Sequence, residues 1–171
     1  MKRSMNEQSI PTGSSYSWKI GSYANSVRFL LVAFKKTAGP SFQTNNALFT
    51  ENDGNNQITS LRVRLNNSYY PIDGMKFNFH NYNVAEPYNA FKNICWTLGF
   101  DVQITLQEFI DLHSMFLIDL SAQPETLKSN GIDITLQIEK ASALTLQGFA
   151  LVSEDSYHQI DVGEGKMLRI R

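Results

Sequence analysis

Hydrophobic and polar residues alternate most regularly between positions 132 and 139, in the segment IDITLQIE. In an extended chain, the four aliphatic residues of this segment lie on one side, and Asp, Thr, Gln and Glu lie on the other. A period of two predicts a β-strand with one face in a core and the other in solvent. We therefore expect Ile134, Leu136 and Ile138 to line the interior of a sheet-based fold.

Shorter runs of the same character predict further strands. These cover residues 15–20, 27–34, 115–120, 148–153, 157–162 and 166–170, and a hairpin joins strands 61–65 and 75–79 through a turn at Asp73-Gly74. The run 29–34 is apolar on both faces, which predicts cover by a second sheet on one side and by a helix or neighbouring subunit on the other. Residues 35–57 are rich in Gly, Asn and Thr, and we expect a long loop there.

Two segments have the period of a helix. The first carries apolar residues at three- and four-residue spacing, namely Tyr88, Phe91, Cys95 and Leu98. With Gly99 as a stop signal, this spacing predicts a helix over 85–98. Thr105 and Glu108 have the spacing of a capping box, which predicts a second, short helix starting at Thr105.

The order of these elements favours one fold class. About eight or nine antiparallel strands, with one or two short inserted helices, predict an all-β fold and favour a jelly-roll β-sandwich over a closed barrel. The chain has 171 residues, of which 42% are hydrophobic, so it can bury the core of one domain. We expect a flexible N-terminal segment over residues 1–10 and a single jelly-roll domain over 11–171.

Charge and cysteine content narrow the functional classes. With a net charge of −1, the chain lacks the excess of basic residues that sequence-independent nucleic-acid binders have. We therefore predict no specific nucleic-acid partner. Residues 1–100 hold ten Lys/Arg and five Asp/Glu, whereas 101–171 hold five and eleven. This asymmetry either disappears when the two halves interleave or forms complementary patches between copies. The lone Cys95 permits no intramolecular disulfide and fits a reducing compartment.

The start of the chain has charge but no apolar run after it. No segment approaches the roughly twenty apolar residues that a membrane helix needs. We therefore expect no membrane partner, no signal peptide and no transmembrane segment.

The sequence gives only weak evidence for a catalytic site. The histidines are scattered without metal-ligand spacing, at His80, His113 and His158. Cys95 lies on the apolar stripe of the predicted helix, where a buried core role is favoured over a nucleophile. Asp119 and Asp133 occupy strand positions and could serve a glycosidase from neighbouring strands, although solvent-facing or turn-capping roles are favoured. We predict no enzyme and no catalytic, cofactor-binding or metal site.

Aromatic and basic residues interleave in one region of the chain. The residues are Trp18, Lys19, Tyr23 and Arg28. Such a set could stack on single-stranded nucleic acid. Aromatic core positions of a β protein explain it at least as well.

Several segments carry a resemblance in their order and spacing. They are RFLLVAF (28–34), LRVRLNNSYYP (61–71), NAFKN (89–93), FLIDLSAQPETLKSNGIDITLQIE (116–139) and the closing KMLRIR. The most specific part is Ile118-Asp119-x-Ser121 followed by Ser129-x-x-Ile132-Asp133-Ile134. Over residues 9–170, the chain resembles the C-terminal jelly roll of double jelly-roll major capsid proteins, with Polinton or Maverick elements and adinto-like viruses as the nearest group.

This resemblance implies a structural virion-type protein. A capsid jelly-roll module would self-assemble, as in the trimeric capsomers of such viruses, or pair with a second jelly roll, in the virion or the host cell interior. The length leaves room for one jelly roll, so the chain is an excised half, a truncated integrated copy or a single jelly-roll protein with its own assembly. The alternative is a jelly-roll module that binds carbohydrate or protein, including a host-domesticated viral copy.

Overall fold

The computed structural model describes residues 2–24, 26–37, 54–112, 115–121, 131–154, 157–161 and 166–170. In chain order the elements are β1 (Lys2–Ile10), β2 (Ser15–Ala24), β3 (Val27–Lys36), β4 (Ile58–Leu65), β5 (Ser68–Lys76), α1 (Ala85–Thr97), α2 (Leu106–Leu112), β6 (Phe116–Asp119), β7 (Ile132–Lys140), β8 (Leu146–Glu154), β9 (Tyr157–Asp161) and β10 (Lys166–Ile170). Within these ranges, neither helix has the length and apolar character to cross a membrane.

Eight strands form two antiparallel four-stranded sheets. Sheet 1 has the order β1-β8-β3-β6, and sheet 2 has the order β2-β7-β4-β5. The chain doubles back on itself, so that β1 pairs with β8, β2 with β7, β3 with β6 and β4 with β5. Such a ribbon, rolled so that successive pairs alternate between two sheets, is a jelly roll. The all-β prediction is confirmed, and β9 and β10 add an antiparallel hairpin.

The core lies between the two sheets. Ile134, Leu136 and Ile138 of β7 are at most 1% exposed, which confirms the predicted inner face. Trp18 of β2, beside Leu136 in sheet 2, packs across the core against Gly148 of β8 in sheet 1. A Cβ atom on Gly148 would come within 2.7 Å of the Trp18 ring, so this contact between the sheets requires glycine.

The two helices end and begin where the sequence predicts. Beyond α1, Gly99 has a φ of +80°. The Gly99 N–H donates to the Trp96 carbonyl, and the Phe100 N–H donates to the Cys95 carbonyl, both at 2.9 Å. This pair of bonds is a Schellman motif, whose left-handed position favours glycine.

The capping box of α2 is also formed. The Thr105 N–H donates to Glu108 Oε2 at 2.8 Å, and the Glu108 N–H donates to Thr105 Oγ1 at 3.2 Å. These reciprocal bonds satisfy backbone donors that an uncapped helix start would leave without partners.

The structure corrects the expectation for residues 1–10. Lys2–Ile10 form β1, an edge strand of sheet 1 that pairs along its whole length with β8. The inward-facing Asn6 and Gln8 are polar, so β1 lacks the alternation that marks a half-buried strand. Asn6 Nδ2 donates to the Ile20 carbonyl at 2.6 Å, and Gln8 Nε2 donates to the Tyr16 hydroxyl at 3.2 Å.

The predicted turn at Asp73-Gly74 is wrong. The β4–β5 turn lies at Asn66-Asn67, because Leu65 pairs with Ser68. Asn66 has a φ of +51°, and its Oδ1 accepts the Asp133 N–H at 2.9 Å, which ties the turn to β7. Asp73-Gly74 lies instead in a bulge of β5, where the register to β4 shifts.

Candidate assembly surfaces

The outer face of sheet 2 is polar. Arg62 of β4 donates from Nε and Nη2 to Gln137 Oε1 on β7, at 3.2 and 2.7 Å. The Arg62 guanidinium also lies 4.2 Å from the centroid of the Tyr69 ring. At the β2 side, Lys19 and Asp133 form an exposed ion pair at 3.7 Å. This face therefore combines hydrogen-bonded polar side chains with solvent exposure, as the alternation of β7 predicts.

The outer face of sheet 1 carries a row of apolar side chains. The strand registers place Met5, Leu151, Leu31 and Leu117 in one row across β1, β8, β3 and β6. Leu117 is 5% exposed, Leu31 and Leu151 are half-buried, and Met5 is 71% exposed. We call these four residues the apolar row. Its exposure is lowest at β6 and highest at β1.

Helix α1 covers the buried end of this face. Ile94 packs with Phe29 of β3 and Leu117 of β6 in a small cluster outside the main core. This confirms that β3, apolar on both faces, has a helix as its outer cover. Of the predicted stripe, Tyr88 and Phe91 pack against the main core, which confirms its first half. In the second half the buried residue is Ile94, and not Cys95 or Leu98 as the sequence predicted.

The C-terminal end of α1 exposes large apolar side chains. Trp96 is 61% exposed and Phe100 is 65% exposed, with the partly exposed Leu98 between them. We call these three residues the α1 end patch. The sequence pattern does not predict the patch, because Trp96 and Phe100 do not lie on the predicted helical stripe. Their i and i+4 positions around Gly99 were the available signal.

A small cleft lies beside this patch. It has a volume of about 130 Å³ and lies between α1 and sheet 1, with Arg28, Ile94, Asp119 and Ser121 among its lining residues. Asp119 Oδ1 accepts the Ser121 N–H at 2.8 Å. This bond gives Asp119 the turn-capping role that the sequence favoured.

The structure separates the two candidate carboxylates. Asp119 is on β6 of sheet 1, whereas Asp133 is on β7 of sheet 2 and pairs with Lys19. Asp119 and Asp133 therefore do not form a glycosidase-type carboxylate pair on neighbouring strands.

Among the described residues, the other singled-out side chains are not grouped into a reactive site. His80 is exposed, and His113 and the side chain of His158 lie outside the described residues. Across the described ranges, no three His, Cys, Asp or Glu side chains are grouped as metal ligands would be. Cys95 is half-buried, so its prediction as a core residue needs correction, but burial raises the pKa of its thiol. A raised pKa lowers the thiolate fraction and hence the reactivity.

The aromatic and basic residues near β2 are also dispersed. Trp18 is buried in the core and so has no face available for stacking on a base. Lys19 pairs with Asp133, Arg28 lies at the cleft, and the Tyr23 side chain lies outside the described residues. Core packing, the second interpretation of this set, accounts for Trp18.

Comparison with known proteins adds the family. A model of the double jelly roll-like domain matches residues 3–152, which run from β1 into β8. The chain belongs to this family. No curated protein and no solved structure gives a match. Within this match, the residues that the structure describes form one jelly roll, with α1 and α2 inserted between β5 and β6.

Proposed function

We propose that this chain is a structural module of a virus-type shell, which self-associates or pairs with a second jelly roll. The observation that carries the proposal is membership of the double jelly roll-like family, a domain typical of viral capsid proteins. Within that family, the segment Ile118-Asp119-x-Ser121 and the residues after it support a place near the capsid proteins of Polinton or Maverick elements. The module would then act in the virion or during its assembly in the host cell.

The α1 end patch supports a role in contacts with other chains. Large apolar side chains that protrude together from a folded domain commonly mark interaction sites, because water must otherwise solvate them. Trp is among the residues that contribute most to binding when a partner buries them. We propose Trp96 and Phe100 as the anchors of such a contact.

The cleft beside α1 does not support the binding-module alternative. Sites for small ligands usually enclose roughly 300–1,000 Å³. The cleft beside α1, at about 130 Å³, is well below that range. This cleft therefore does not favour carbohydrate recognition.

Sedimentation velocity over a concentration series tests the proposal. We expect the wild-type chain to sediment faster as its concentration rises. The double variant Trp96→Ala/Phe100→Ala should weaken this self-association at least tenfold. Ile72→Ala is the matched control, since Ile72 is also a large exposed apolar residue but lies on β5 of sheet 2.

Salt separates the two possible sources of attraction. An apolar contact through the α1 end patch should persist at high salt, whereas attraction between the basic first half and the acidic second half should weaken. A strictly monomeric wild-type chain at both salt concentrations would contradict self-association. An equal loss in the Ile72→Ala variant would contradict the role of the patch.

A further inference from the structure

The edges of the two sheets differ in their protection against pairing with another strand. An open edge presents unpaired N–H and C=O groups, and natural sheets blunt such edges with bulges, proline or short strands. In sheet 2, the register of β2 shifts on both sides of Gly21, while β5 carries a bulge and Pro71. At one edge of sheet 1, β6 has only four residues.

Strand β1, the other edge of sheet 1, has none of these features. Its nine residues pair with β8 without a register shift, and it contains neither proline nor glycine. Among the four edges of sheets 1 and 2, β1 is therefore the longest regular one. Such an edge is a template for antiparallel pairing with another strand.

The outer face of β1 is complementary to itself. Arg3, Met5 and Glu7 all lie on this face and are exposed, with Met5 midway between the two charges. If two β1 strands pair antiparallel about Met5, Arg3 of each lies directly opposite Glu7 of the other. Opposite charges at such positions stabilise strand pairing. A second copy supplies both partners by two-fold symmetry.

We propose that two copies of this chain pair through antiparallel β1 edges centred on Met5. The two four-stranded sheets then form one eight-stranded sheet, with one Arg3–Glu7 pair on each side of the Met5 contact. The apolar row continues across the junction, so that exposed Met5 becomes covered. This inference rests on the proposed function and names one of its contacts.

Cysteine crosslinking tests the register. In the Cys95→Ser background, we expect Met5→Cys to form a disulfide-linked dimer under mild oxidation. Opposite Cα atoms in an antiparallel pair lie about 4.5–5.5 Å apart, within the roughly 4.4–6.8 Å that a disulfide spans. Ser9→Cys is the matched control, on the same exposed face of β1. In the proposed register, two copies of position 9 are separated by eight residues, or roughly 27 Å, and should not crosslink.

Charge reversal tests the complementarity. Arg3→Glu and Glu7→Arg should each weaken self-association at least tenfold in sedimentation velocity, because like charges then face each other. The double variant Arg3→Glu/Glu7→Arg should return to within about threefold of wild type, since the pairs are restored with exchanged signs. Circular dichroism checks that all variants remain folded.

The outcomes distinguish this inference from the proposed function. If wild type associates but the Met5→Cys chain crosslinks no better than Ser9→Cys, the edge pairing is wrong while shell assembly stands. A double charge variant as weak as the single variants would likewise overturn the pairing. A wild-type chain that remains monomeric throughout would overturn both the edge pairing and self-assembly.

Discussion

The outer faces of the two sheets differ in what the side chains on them contact. In sheet 2, polar side chains contact one another: Arg62 donates hydrogen bonds to Gln137 and lies over the Tyr69 ring. The face remains accessible to solvent. In sheet 1, the corresponding face carries Phe29 and Leu117, which α1 covers through Ile94. One jelly roll therefore has a solvent face on one side and a second small core on the other.

On the outer face of sheet 1, the covered part near β6 stabilises the fold, whereas the exposed part near β1 is available for contacts with another chain. The second core is complete near β6, where α1 lies, and incomplete near β1, where Met5 is exposed. Apolar surface that the chain does not cover itself can be buried by another chain. Both proposed contacts, the α1 end patch and the β1 edge, adjoin sheet 1, and neither involves the polar face of sheet 2.

The largest effect is expected from truncating the second core. Leu117→Ala should lower the free energy of unfolding by about 2–5 kcal/mol, as for buried leucines generally. Leu136→Ala, inside the sandwich, should cost a similar amount, although Leu117 lies on an outer face. Urea denaturation followed by tryptophan fluorescence measures both changes.

Thr135→Ala on the outer face of sheet 2 is the control. Thr135 is half-buried, and its replacement should change stability by no more than about 0.5 kcal/mol. A Leu117→Ala variant as stable as Thr135→Ala would show that α1 does not form a core with sheet 1. The contrast between the two outer faces would then fail.

The same contrast explains how far the sequence predicts the fold. Where one face is in solvent, as along residues 132–139 of β7, alternation places the side chains correctly. Where both faces are covered, as in β3, the pattern predicts a cover, and the structure supplies it as α1. In β1 the inward-facing Asn6 and Gln8 bind β2 groups, so the periodic signal is absent and the strand is missed.

Local geometry is predictable where one residue type has a clear physical advantage. Gly99 and the Thr105–Glu108 capping box mark helix boundaries correctly, because their roles depend on neighbouring backbone groups alone. The hairpin turn is mispredicted because both Asn66 and Gly74 suit a positive φ, and the pairing of β4 decides between them. The i and i+4 spacing of Trp96 and Phe100 brings the two residues to notice, but their exposure depends on how α1 lies on sheet 1, which local spacing does not specify.

A polar exception within β7 provides the next prediction. Lys140 continues the inner face of the strand and is only 5% exposed, and its Nζ donates to the carbonyls of Gly13 and Leu144. Lys140→Met keeps much of the volume but leaves both carbonyls without this donor. We expect a loss of about 1–3 kcal/mol at neutral pH, measured by urea denaturation.

The pH dependence of this difference has a definite sign. Burial lowers the pKa of Lys140 from its usual 10.5. Between the lowered pKa and 10.5, the unfolded chain binds more protons than the folded chain, so wild-type stability rises with pH in that window. The stability advantage of wild type over Lys140→Met should therefore grow as pH approaches 10.5. An advantage that shrinks over this range would mean that the two carbonyls raise the pKa instead.

The smallest effect should come from the outer face of sheet 2. Gln137→Ala removes the acceptor of two Arg62 hydrogen bonds, at 3.2 and 2.7 Å. Arg62 keeps its position over the Tyr69 ring, and water can replace the lost acceptor because Gln137 is only half-buried. We therefore expect a change of no more than about 0.5 kcal/mol in the urea-derived stability. A loss above about 1.5 kcal/mol would show that Arg62, Gln137 and Tyr69 act as a buried network, and sheet 2 would then have a second packed layer comparable to that of sheet 1.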